Sequence, residues 1–170
     1  LYGDGSNLTG ISTGVTSDAQ GNTVAGTNAG DSFTGTDANN NTLIGKDAGT
    51  AITTGDENVA VGAFSSDALT TGNLNTAVGY HSLGSATTAH SCVAVGNTAL
   101  FSTTTGENNT AVGLGALSAN TTATSNTALG RDALNDNTTG TSNVAVGAFA
   151  LDANTTASNN TAVGHNSLGV

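Results

Sequence analysis

Residues 75–79 read Asn75-Thr76-Ala77-Val78-Gly79. The same five-residue word returns along most of the chain. Its variants end at Gly45, Gly62, Gly79, Gly96, Gly113, Gly130, Gly147 and Gly164, and every step between these glycines is 17 residues. A degenerate copy ends at Gly26, 19 residues before Gly45. A fixed period without insertions means that each repeat is one structural unit stacked on the last. That reading decides the architecture and argues against an enzyme.

Counting from the anchor glycine as position 0, position 15 is Ala60, Ala77, Ala94, Ala111, Ala128, Ala145 and Ala162. Position 16 is Val61, Val78, Val95, Val112, Leu129, Val146 and Val163, and position 14 is always Val or Thr. Position 13 is Asn except at Cys92. β-branched residues alternating with small or polar ones read as a short strand. The larger residue at position 16 is expected in the coil's interior, with the alanine facing outward. A column of outward alanines lets another backbone approach closely, so Ala77, Ala94, Ala111, Ala128 and Ala145 are candidate interchain contacts.

After each glycine comes a second apolar segment, with leucine at position 4 in Leu83, Leu100, Leu117, Leu134, Leu151 and Leu168. Thr-Thr follows at positions 8 and 9, then Gly or Ala at position 10. Two strand-like pieces and two turns make a plausible circuit of a flattened rod. Helical repeats need about 33 residues or more. The expected fold is therefore all-β: a parallel β-solenoid, of β-roll or β-helix type, with one coil per 17 residues over residues 41–170. Residues 1–40 read as a connector or irregular lead-in coil. Stacked coils turn identical side chains into ladders, with the Asn column chaining its amides.

Composition agrees. The chain has 170 residues, with no Pro, Met or Trp and only four Phe and two Tyr. Such a chain cannot fill the centre of a conventional globule, whereas a solenoid's narrow interior needs only its neighbours. The formal net charge is −10, with Lys46 and Arg131 the only basic side chains. Nucleic acid and anionic membranes are poor partners for such a surface. No apolar run approaches the ~20 residues of a membrane span. The chain stops at Val170 in mid-repeat, which reads as a piece of something longer or as a rod that stacks on a neighbour.

The Asn-Thr-Ala-Val-Gly word followed by x-x-Ala-Leu resembles the repeats of trimeric autotransporter adhesin heads, over roughly residues 41–170. Head repeats are a few residues shorter, so the outer turn differs here. The opening Gly3-Asp4-Gly5-Ser6-Asn7-Leu8-Thr9-Gly10-Ile11 is similar to a segment of phage tail-fibre repeat proteins. The resemblance implies a homotrimer and a fibre used for attachment, extracellular, on a cell surface or on a virion. It also implies a host-surface glycan or protein as receptor.

No catalytic, cofactor or metal site is expected. His81, His90 and His165 fall at different repeat positions, and the carboxylates that share a position stand several coils apart. No calcium-roll pattern, P-loop or Ser/His/Asp spacing appears. Asn120, Asn137 and Asn154 form phased Asn-x-Thr sequons at position 7 and are the candidate glycosylation sites. The function expected is a non-catalytic structural shaft or adhesion segment of an attachment fibre. The alternatives are a self-stacking glycosylated extracellular filament and, less favoured, an ice-binding solenoid. The last rests on the Thr-Thr column, from which only one threonine per coil faces outward.

Overall fold

A computed structural model describes residues 16–33 and 37–169. The fibre-like opening at residues 3–11 lies outside the described residues. The described chain is an all-β parallel solenoid without helix. Its strands are β1 (Thr16–Ser17), β2 (Thr23–Ala25), β3 (Thr42–Ile44), β4 (Val59–Val61), β5 (Thr76–Val78), β6 (Val93–Val95), β7 (Thr110–Val112), β8 (Thr127–Leu129), β9 (Val144–Val146) and β10 (Thr161–Val163). They form one sheet in sequence order, with β2 to β10 all parallel. Register is strict: Ala77 pairs with Ala94 and Val78 with Val95, as the constant period requires.

The first edge of the sheet is short. Strand β1 folds back antiparallel on β2. In the turn between them, Asp18 accepts the Asn22 main-chain N–H at 2.8 Å and the Asn22 side-chain amide at 2.9 Å. Those bonds, the amide's first, hold the Asp18 carboxyl below its ordinary pKa. A carboxylate here does for Asn22 what the preceding coil's asparagine does for later ones such as Asn58 and Asn75. Strand β1 thereby covers the edge of β2 and leaves only a two-residue edge strand, a short edge of the kind that discourages pairing with another chain.

Two expectations need correction. The strand faces are reversed. Ala60, Ala77, Ala94, Ala111, Ala128 and Ala145 are fully buried, while the position-16 residues point out, with Leu129 48% and Val163 69% exposed. The cause lies one residue earlier. Asn at position 13 shares a face with alanine at 15, and its amide must reach inward to bond the turn across the coil. That bond fixes the Asn/Ala face inside. The interior opposite is filled by leucine, so only a methyl group fits at position 15.

The second segment is not a strand either. It is a run of turns in which positions 2 and 4 adopt left-handed backbone: His81 has φ 51° and Leu83, Leu100, Leu117 and Leu134 each have φ 52°. For a leucine this conformation costs about 1–2 kcal/mol. Fully burying the side chain returns about 1.5–3 kcal/mol, and these four leucines are fully buried, so burial wins. The altered backbone also redirects the amides. Leu83 N–H donates to Ala99 O in the following coil at 2.9 Å, and His81 N–H to Ala63 O in the preceding coil at 3.1 Å. Non-strand parts of the circuit therefore stitch coil to coil as the sheet does.

Candidate functional site

The best-built feature is inside. The position-13 asparagines from Asn41 to Asn143 donate their amides to a turn carbonyl 14 residues on: Asn58 to Gly72 O at 2.9 Å, Asn75 to Ala89 O at 2.8 Å, Asn126 to Gly140 O at 2.9 Å. Its Oδ1 accepts the main-chain N–H of the next coil's position 13, as Asn58 accepts from Asn75 at 3.0 Å. The side-chain amide often adds a second bond to the same oxygen. The expected ladder is present, and it is tied to backbone on both sides rather than running from amide to amide alone.

Cys92 interrupts it. Its N–H still donates to Asn75 Oδ1 at 3.0 Å, and its thiol reaches Gly106 O at 3.3 Å. Burial pushes the thiol pKa up, so the sulfur is a neutral and weak acceptor towards Asn109. From Asn22 onward every other acceptor in the column is an amide oxygen. The Cys92→Asn variant is therefore expected to stabilise the chain by about 1–3 kcal/mol by completing the column. Urea unfolding followed by circular dichroism checks this; an unchanged or lower midpoint would show that sulfur serves as well as an amide.

The threonine columns divide. At position 8 the hydroxyl donates to the next coil's main-chain carbonyl, as from Thr70 to Thr87 O at 2.9 Å and Thr138 to Thr155 O at 3.0 Å. Position 9 faces solvent. Position 11 makes a further ladder in which Asn39, Asp56 and Asn73 N–H groups donate to the following coil's side chain. His90 belongs to it: its Nδ1 accepts Asn73 N–H at 3.0 Å, which puts the proton of a neutral ring on Nε2. Its role there is structural.

The candidate interchain alanines are enclosed by their own chain. Ala77, Ala94, Ala111, Ala128 and Ala145 present no side-chain surface to a neighbour. The phased sequons lie inside as well. Asn120 and Asn137 are fully buried; Asn120 donates to Thr103 Oγ1 at 3.0 Å and Asn137 to Gly140 O at 3.0 Å. Half-buried Asn154 donates to Asn137 Oδ1 at 2.8 Å. A sugar on the amide nitrogen of Asn120 or Asn137 has no room in the folded coil. Position 7 is instead a core column that changes chemistry along the rod, from Ile52, Leu69 and Ala86 to Thr103 and then to asparagine.

The chemically varied side chains gather on one edge. Every aromatic residue of the phased repeats stands at position 1, 2 or 5: Phe64, Tyr80, Phe101 and Phe149. Phe64 stacks on His81 with ring centroids 4.9 Å apart, Tyr80 meets His81 edge-on at 4.4 Å, and Phe101 meets it at 5.6 Å. Lys46 lies 5.1 Å from the Phe64 ring centre. Burial raises the pKa of the nearby Asp67 carboxyl, with the charge of His81 opposing the rise. Further along, Arg131 stacks on Phe149 at 4.3 Å and pairs with Asp132 at 3.3 Å. Phe149, Asp132, Asn135, Asp136, Asp152 and Ala153 line a shallow recess of about 360 Å³. Among the described residues no group of three or more His, Cys, Asp or Glu side chains is placed to hold a metal ion. This edge escaped the sequence reading, although its signal was present: the aromatics share three of the 17 repeat positions.

Compared with protein-family models, curated proteins and solved structures, the chain matches none.

Proposed function

We propose that the chain is a non-catalytic structural shaft or adhesion segment of an attachment fibre, extracellular or on a virion, in which three copies associate along their length. The observation that carries this reading is the uniformity of the stacking. The sheet, the Asn ladder, the Thr ladder and the left-handed turns each bond one coil to the next, so the fold lengthens by adding coils without redesign. Such an element holds distance and bears load. A host-surface glycan or protein would meet the edge bearing Phe64, Tyr80, His81 and Phe101, where exposed side chains differ from coil to coil. Burial of Asn120 and Asn137 removes the main support for a glycosylated filament.

The test is mass and shape in solution. Light scattering is expected to give about three times the 16.3 kDa chain mass, and small-angle scattering an elongated particle. Nine parallel strands at ~4.8 Å spacing make a body about 40 Å long before its flanking turns are counted. A compact monomer at all concentrations would overturn the proposal.

A further inference from the structure

We infer that the outward face of the β2–β10 sheet is the surface on which a second copy of this chain docks. The inference rests on the self-associating shaft proposed above and assigns the contact to particular columns. Because the alanines turn inward, positions 14 and 16 turn outward. The face they form includes Thr76 and Val78, Val93 and Val95, and Thr110 and Val112. Ile44, Leu129 and Val163 in the same column are 39%, 48% and 69% exposed.

Three observations favour a copy of the chain as the occupant. The first is charge. The chain carries a net charge of −10, so like chains repel wherever their carboxylates meet. No Lys, Arg, His, Asp or Glu stands at position 14 or 16; those of the phased repeats stand at positions 1, 2, 5, 6, 11 and 12. This face is where two such chains can approach without bringing like charges together or stripping water from an ion.

The second is area. Nine three-residue strands make a strip roughly 40 Å by 10 Å. Two such strips cover about 800 Å² in projection before side-chain relief is counted, approaching the ~1,200 Å² lower bound of a specific interface. Leu114, exposed at position 1 beside the strip, extends it. One strip, about 400 Å², is the size of the largest patches that single soluble proteins leave open, and such patches are often functional.

The third is shape. Val and Thr are rigid at χ1 and stand in register along parallel strands, giving a regular row of methyl groups. A second row of the same period meshes with it, as the inner faces of packed sheets do. A partner of a different repeat length would lose register along the rod.

The test is a Val95→Glu, Val112→Glu double variant of the whole chain. Light scattering reads its mass, and circular dichroism its fold. The expected result is an assembled wild type and a folded, monomeric variant. Thr105→Glu and Thr122→Glu on the exposed position-9 column should leave assembly unchanged. Should the acidic pair fail to fold, Val95→Thr with Val112→Thr keeps the side-chain shape and is expected to weaken assembly about tenfold with the fold intact. A wild type and variants that assemble equally would overturn this face while leaving the self-associating shaft standing. A monomeric wild type would overturn both. Thermal hysteresis of that monomer, lost in the acidic pair, would then assign the face to ice.

Discussion

Replacing Gly113 with alanine should abolish cooperative folding of the coils around it. Gly113 has φ 139°, in the region that only glycine occupies readily. Forcing alanine there costs about 1–3 kcal/mol. The added Cβ would also press into the main-chain carbonyl of Gly130, with its carbon 2.6 Å away. That atom belongs to the next coil's anchor glycine, whose N–H is held by Val112 O at 2.8 Å, so it cannot swing aside. Overpacking against fixed backbone adds about 1–3 kcal/mol. The sum, about 2–6 kcal/mol, is comparable to the whole stability of a small domain. Urea unfolding followed by circular dichroism should show a lost or much lower transition. A midpoint within error of wild type would mean that the coils slide apart cheaply and that the anchor glycine is not sterically required.

The glycine column shows why the architecture was legible in the sequence while its interior was not. A residue that only glycine can be, repeated every 17 positions, announces the coil length and the stacking contact together. The inside and outside of a three-residue strand are harder to read. Position 16 looked like core because valine is larger and more apolar than alanine. That rule holds where a wide interior must be filled. Here the interior is a slot already occupied by Leu83, Leu100 and their equivalents, and the deciding residue was the asparagine at position 13. Its amide bonds to Gly72 O, Ala89 O and their equivalents cross the coil, which no pattern of hydrophobicity reveals. The sequons misled for the same reason: Asn120 and Asn137 are polar residues serving as core. The left-handed leucines could not be foreseen, since propensity disfavours them and only burial in the finished stack stabilises them. The aromatic edge was within reach, because outward positions are those where the repeat tolerates change.

If asparagine at position 13 sets the inner face, removing one should hurt more than its polarity suggests. Asn143 is fully buried. Its Oδ1 accepts Asn160 N–H at 2.9 Å, its own N–H donates to Asn126 Oδ1 at 2.9 Å, and its amide donates to Ala157 O at 2.9 Å. Leucine shares the branch at Cγ and is larger, so Asn143→Leu leaves no cavity, and its extra apolar surface would be favourable if burial were all that mattered. It strands the Asn160 N–H and side-chain amide instead, while Ala157 O keeps the Asn154 amide at 3.1 Å. An unpaired buried group costs about 1–3 kcal/mol, and the half-buried Asn160 N–H is the main one left, so the expected loss is about 1–3 kcal/mol. Asn143→Asp separates the two roles. It keeps the acceptor for Asn160 but loses the donor to Ala157 and sets a carboxylate against a carbonyl oxygen, so it should be destabilised at neutral pH. It should recover part of that loss as the solution is acidified and the carboxyl becomes a donor. The sign follows from the folded-state pKa, which burial beside a carbonyl would raise above the unfolded value: the penalty is absent below the unfolded pKa and grows as pH rises towards the folded one. Melting curves of both variants between pH 4 and pH 8 decide the matter. An Asn143→Leu protein as stable as wild type, or an Asn143→Asp protein whose stability deficit does not shrink on acidification, would show that the ladder accompanies the fold without holding its inner face in place.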